Sequence, residues 1–184
     1  MTADFRGGDD ATDLALIARW KEGDQRAATA LVERHAPSLA RFAASLGERS
    51  DVEEIVQDTF VRAFGSIDSF RGDSSLRTWL FTIERRLILD RRRSDRRRRD
   101  TVAIDERDAV TEYDALDSMV AGETERRVRH AIERLSPMQR DVFTLRVNEG
   151  LSYKEIAEVV GSTEGAARVH YHNAMRALKE LLYV

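Results

Sequence analysis

Glu164, Arg168, His172 and Arg176 recur at every fourth position near the end of the chain. On a helix that spacing puts all four side chains on one stripe. Guanidinium, imidazole and carboxylate groups so aligned read base edges and phosphates when the helix enters a major groove. A solvated face of an ordinary helix carries the same residue types, so the segment ahead of the stripe decides between the readings. There Ser152-Tyr153-Lys154-Glu155 forms a capping box, with Leu151 and Ile156 placed as a hydrophobic staple. A short helix follows, Gly161 ends it, and Thr163 caps the next helix, which runs to about Leu182. Ile156, Ala157 and Val160 are spaced to pack beneath Ala167, Tyr171 and Ala174, whose small members let two helices cross closely. This is the pattern of a helix-turn-helix.

A second group of residues points to a polyanion. Arg85 to Arg99 holds nine arginines against Asp90 and Asp95. The band continues a segment in which Phe70, Trp79 and Phe81 alternate with Arg71, Arg77, Arg85 and Arg86. Rings on which bases stack, interleaved with cations that meet phosphates, suit single-stranded nucleic acid. Trp79 and Phe81 fall on different faces of a helix, so at least one of them belongs to the core.

Catalytic constellations are missing. The sequence has no glycine-rich phosphate loop, zinc-protease helix motif or nucleophile elbow. His170 and His172 are two residues apart and so point about 200° apart on a helix, which argues against a shared metal. Glu53 and Glu54 fit the first turn of a helix, where carboxylates complement the dipole. With no cysteine in 184 residues there is no disulfide, thiolate nucleophile or cysteine zinc site. Neither an enzyme nor a cofactor is expected.

The elements that must position these groups are all helical. Asp13 to Glu22 reads as a helix closed by Gly23, and a second follows Asp24 with Leu31, Val32, His35, Leu39, Phe42 and Leu46 on its stripe. Pro37 predicts a break or kink in it. Ser50-Asp51-Val52-Glu53 predicts a capping box opening a helix to Gly65. Leu76, Trp79, Leu80, Ile83 and Leu87 stripe a helix that runs into the arginine band. Val128, Ile132 and Leu135 mark another, and Ser136-Pro137-Met138-Gln139 caps the one after it.

Charge separates these helices into blocks. Residues 1–83 carry −4, residues 84–99 carry +6, residues 100–125 carry −8 and residues 126–184 carry +3, for a net −3. The acidic block lacks an apolar period and reads as a tether. The expected architecture is all-α, with helical domains at 12–97 and 123–184 joined by an acidic linker at 98–122. No stretch is apolar enough to span a membrane, and Met1 to Asp10 is polar and acidic, so a cytoplasmic location is expected.

Four ordered segments resemble the extracytoplasmic-function (ECF) group of bacterial RNA polymerase sigma factors. Asp51 to Phe64 is similar to the helix with which these proteins grip the polymerase clamp helices. Phe70-Arg71-Gly72-Asp73-Ser74-Ser75-Leu76-Arg77-Thr78-Trp79-Leu80 resembles their promoter-melting loop and helix start. Leu135 to Arg140 with Leu151 to Ala157 resembles the opening of their last domain, and Gly161 to Leu178 its recognition helix. The resemblance implies that Asp51, Glu54, Gln57, Asp58, Phe60 and Arg62 bind core polymerase. It implies minus-ten contacts from Phe70, Arg71, Ser74, Ser75, Arg77, Trp79, Arg85, Arg86 and Arg92. It implies minus-thirty-five contacts from Ser162, Thr163, Glu164, Ala166, Arg168, His170, His172 and Arg176.

The partners it implies are the clamp helices of the largest polymerase subunit, the flap of the second-largest, promoter DNA and an anti-sigma factor. It also suggests that the linker threads the channel later filled by product RNA. The chain departs from the family pattern where Glu84-Arg85-Arg86 replaces the usual Ala-Arg-Asn, and where Arg168, Val169 and His170 replace a Lys-Ser-Arg run. A different promoter sequence is therefore expected. The rival reading is a stand-alone helix-turn-helix regulator, which needs a dimerisation surface and a ligand or receiver domain. An anti-sigma-like adaptor, a third class, has no need of the recognition helix.

Overall fold

The structure is a computed structural model that describes residues 4–48, 50–101 and 122–182. Helix α1 spans Asp4–Lys21, α2 Gln25–Ser45, α3 Val52–Gly65 and α4 Leu76–Thr101, with a single 3-10 turn at Ile67–Ser69 before α4. The second half holds α5 Glu123–Glu133, α6 Pro137–Val147, α7 Tyr153–Val160 and α8 Glu164–Leu182. No strand occurs among the described residues, in line with the all-α reading. Most of the expected linker, residues 102–121, lies outside them.

Local caps explain several of the boundaries. Asp24 accepts from the Arg26 N–H and opens α2, and its carboxyl is held below the usual range chiefly by hydrogen bonds from Arg19. Both boxes of the second half form: Ser136 with Gln139 and Ser152 with Glu155. Gly161 ends α7 in the left-handed region at φ 68°, and the Thr163 hydroxyl accepts from the Ala166 N–H.

Three expectations are corrected. The box at Ser50 does not form; Asp51 takes the cap position without a side-chain hydrogen bond. Helix α1 begins nine residues before Asp13. Helix α2 passes through Pro37 unbroken. Pro37 and Glu33 are both exposed, so the Glu33 carbonyl that loses its helical donor lies on the solvent side of the helix.

Helices α1 to α4 close around Leu31, Leu39, Phe42, Ile55, Leu80, Phe81 and Ile88. Phe42 and Phe81 meet edge-to-face at 5.2 Å, a geometry worth about 1 kcal/mol beyond area burial. Asp13 of α1 fastens to α2 by accepting from Arg34 Nε at 3.0 Å and pairing with His35 Nε2 at 2.9 Å. In the second half, α8 lies across α6 and α7 through Ala167 and meets α5 through Ala174 and Leu178.

The halves are packed together rather than strung apart. Val142, Leu145, Leu151, Ile156, Val159 and Val160 join the same core as the first four helices, and α4 lies against α7. Glu149, in the α6–α7 turn, accepts from Arg41 at 3.1 and 3.2 Å and from Arg77 at 2.5 Å. Arg85 donates to Asp141 of α6 at 2.7 Å, and Thr78 reaches Glu155 at 3.4 Å.

Candidate functional surfaces

On α3 the stripe of Ile55, Thr59 and Ala63 faces inward; Glu54 and Gln57 are exposed on the far side, Asp51 at the helix start and Arg62 near its end. Asp58 is half-buried. Arg91 of α4 bridges Glu54 at 2.6 Å and Asp58 at 2.7 Å, and the Asp58 carboxylate raises the guanidinium further above its ordinary value. Phe60 departs from the exposed position expected for a docking residue. It is 6% exposed, stacks on Phe64 at 5.9 Å, and lines the floor of an apolar groove between α2 and α3 of about 590 Å³. Val61 on the groove rim is 65% exposed.

The residues read as minus-ten contacts divide into two groups. Arg71 and Arg86 are exposed, and Trp79 and Phe70 are half-buried with their rings 5.3 Å apart. Phe81 is the core ring of the pair, at 0% exposure. Ser74 is half-buried, and Ser75 serves α4, its hydroxyl accepting from the Thr78 N–H at 3.1 Å. Arg77 and Arg85 are occupied by carboxylates of the second half. Arg92 is turned back onto Glu48 at 2.8 Å and onto the Leu46 carbonyl.

Against this, the stripe on α8 is open. Glu164, Arg168, His172 and Arg176 are all exposed, as their spacing predicts, while Ser162, Ala166 and His170 are half-buried and Thr163 is exposed. Arg168 donates to Glu164 at 2.8 Å and lies over the Tyr153 ring at 5.1 Å. Arg146 covers the same ring at 4.8 Å, and Tyr171 meets it at an angle at 5.9 Å. Tyr153 therefore fixes the direction in which Arg168 leaves the helix.

The sequence reading missed the acidic partners. Glu149 and Asp141 are buried opposite Arg77 and Arg85, and Asp141 has its carboxyl pushed up by that burial against the opposing pull of Arg85. Glu84 is wholly buried, and neither carboxyl oxygen has a hydrogen-bond partner. Burial, with repulsion from Glu149 added, lifts it to about 9. No group of His, Asp and Glu suited to a metal occurs among the described residues, and no described helix is long and apolar enough to cross a membrane.

Two family patterns match the chain: Sigma-70 region 2 over residues 31–98 and Sigma-70 region 4 over residues 125–178. These define a sigma-70-type protein. The ECF RNA polymerase sigma-E factor of Haemophilus influenzae is 33% identical, over 91% of this chain and 94% of its own. The sigma-E factor of Escherichia coli K12 is 32% identical, over 91% and 92%. The sigma factor RpoE of Bartonella quintana, solved with the anti-sigma factor NepR, superposes with a TM-score of 0.65 at 31% identity, over 84% of this chain and 93% of that one. CnrH, solved with the cytosolic domain of CnrY, gives 0.68 at 29%, over 93% and 97%. The chain belongs to the ECF sigma factors.

Proposed function

We propose that the three surfaces divide the work of promoter-specific initiation by RNA polymerase. The exposed side of α3 docks on the polymerase clamp helices. The α3–α4 loop and the basic face of α4 hold the minus-ten element as unpaired strand. Helix α8 reads the minus-thirty-five duplex, with the second half, residues 123–184, against the flap. The reading is of a non-enzymatic, cytoplasmic initiation subunit without a cofactor, held in reserve by an anti-sigma factor. Its units are residues 12–97 and 123–184, with 98–122 between them.

The observation that carries this reading is the open stripe on α8, whose opposite face is packed on α6 and α7. Positive charge at Arg168 and Arg176 faces outward on a rigid, capped helix, as groove reading requires. Run-off transcription with purified core polymerase tests it. Initiation from a defined start on addition of this chain is expected, whereas a stand-alone regulator gives none.

Docking has its own test. Asp58 sits beside Arg91 and is 45% exposed. Asp58→Lys reverses the charge that α3 offers to the clamp and should weaken core binding about tenfold, a loss of roughly 1–2 kcal/mol at a partly exposed contact. Helicity by circular dichroism should stay unchanged. Wild-type affinity in a titration against core polymerase removes α3 from the docking surface.

Tyr153 supplies a further check on α8. Tyr153→Leu keeps an apolar side chain but removes the ring beneath Arg168. Loss of a partly exposed cation–π contact is worth about 0.5–1 kcal/mol. The variant should therefore lose two- to five-fold in preference for the favoured base at one minus-thirty-five position. Tyr153→Phe should retain it. Equal discrimination by both variants in competition binding to duplex libraries shows that the ring does not orient Arg168.

A further inference from the structure

We propose that closure of the two halves onto each other takes up one proton at Glu84, so that the closed arrangement is a proton-linked latch. Arg77, Phe81, Glu84 and Ile88 share one face of α4 at intervals of three and four, and Arg77 on that face is bonded to Glu149 of the second half. Arg85, the next residue, is bonded to Asp141 and approaches the Val160 carbonyl. Glu84 lies between these two anchors, beside the Phe81 that packs on Phe42 of α2 and near enough to Glu149 for that charge to act on it, in a core that both halves build together. It is 0% exposed there and lacks any hydrogen-bond partner.

The surroundings offer the charged form no compensation. From the α6–α7 turn comes Glu149, whose negative charge opposes a second one nearby. The Arg41 and Arg77 guanidinium groups, from α2 and α4, are spent on Glu149 itself. Arg85 is spent on Asp141 of α6, and Glu155 of α7 is bonded to Ser152. Asp13 of α1 is paired with His35 of α2, and Glu54 and Asp58 of α3 with Arg91. An ionised carboxylate buried without a partner costs several kcal/mol, so the group holds its proton instead.

When the halves part, water reaches α4 and Glu84 ionises as an ordinary carboxylic acid. Its acidity then changes from about 9 in the closed form towards the ordinary 4.5. The group is raised in the closed form, so the stabilisation it gives is complete below about 4.5 and is lost as pH climbs towards 9. Across that window the closed form holds one more proton than the open form, and the closed-to-open ratio falls by up to tenfold per pH unit. Opening frees Arg77 and Arg85 from Glu149 and Asp141, so a rise in pH exposes cations of α4 that closure masks. The latch itself does not depend on what α4 binds.

The chain has no cysteine, which permits clean labelling. Leu14→Cys on α1 and Val147→Cys on α6 are exposed sites in opposite halves, suited to a donor and acceptor dye. In the full-length chain, transfer efficiency should fall from pH 5 to pH 9 along a one-proton curve. Glu84→Gln, which removes the ionisation but keeps the shape, should stay closed over the whole range. Glu84→Ala should do the same and serves if the glutamine variant does not fold. Both keep Asp141 and the histidines in place, so a residual slope from those groups is read directly. Constant transfer in the unsubstituted chain between pH 5 and 9 overturns the proposal. So does a pH slope that survives unchanged in a folded Glu84→Gln or Glu84→Ala chain.

Discussion

Replacing Arg41 and Arg77 together by methionine should release the second half of the molecule from the first. Glu149 is wholly buried between them, while the two guanidinium groups are 55% and 38% exposed. The exposed partners lose little when the pair is broken, and the stranded carboxylate loses most. Removing the partner of a buried charge costs about 3–5 kcal/mol, which at 1.4 kcal/mol per decade is a hundredfold or more in the closed-to-open ratio. Opening is the route by which Glu149 regains water, so the cost appears as separation rather than unfolding. The radius of gyration from small-angle scattering should rise while helicity is kept. Adding Glu149→Gln to the pair should restore much of the compact form, because a neutral amide tolerates the site better than an unpaired carboxylate. A double variant as compact as the parent, or a triple variant as expanded as the double, shows that this cluster does not hold the halves together.

That cluster marks the limit of what was legible in the sequence. The boxes at Ser136 and Ser152, the turn at Gly161 and the stripe on α8 are written in residues three or four apart, and local rules read them. The helical continuation of α4 through the arginines to Thr101 follows from the good helix propensity of arginine, after the apolar stripe has stopped. Glu149 meets Arg41 across 108 residues and Arg77 across 72, and Asp141 meets Arg85 across 56. Periodicity carries no trace of such pairs. Net charge misleads here as well, since Arg77, Arg85 and Arg92 count as free cations in a sequence and are spent on carboxylates or carbonyls in the fold. Ser50 failed as a cap for the opposite reason: two adjacent residues, Ser50 and Asp51, can both serve, and the pattern alone does not choose. Glu84 stood in view as one acid inside an apolar stripe. The signal was present, but only the packing of the second half gives it meaning.

The two surfaces proposed to read DNA should come apart under one pair of substitutions, Arg168→Ala and Arg86→Ala. Arg168 is exposed on α8 and held in a fixed direction by Glu164 and the Tyr153 ring, as a residue that reads paired bases must be. Arg86 is exposed on α4, about two turns beyond Trp79, where the strand is expected open. Loss of a base-reading contact costs about 1–3 kcal/mol and relaxes preference at one upstream position. Loss of a phosphate contact weakens binding to all sequences and lowers the salt slope by about one unit. Arg168→Ala should therefore change which minus-thirty-five sequence supports transcription, and a premelted bubble should not restore it. Arg86→Ala should slow opening on every promoter, and the premelted template, which removes that step, should bring back most of the transcript. The closed structure sharpens the contrast, because Arg86 stays exposed while its neighbour Arg85 is held by Asp141. Run-off yields on duplex and premelted templates, measured at two salt concentrations, separate the cases. Rescue of both variants by the same premelted template, or of neither, means that the boundary between duplex reading and strand capture does not fall between α8 and α4.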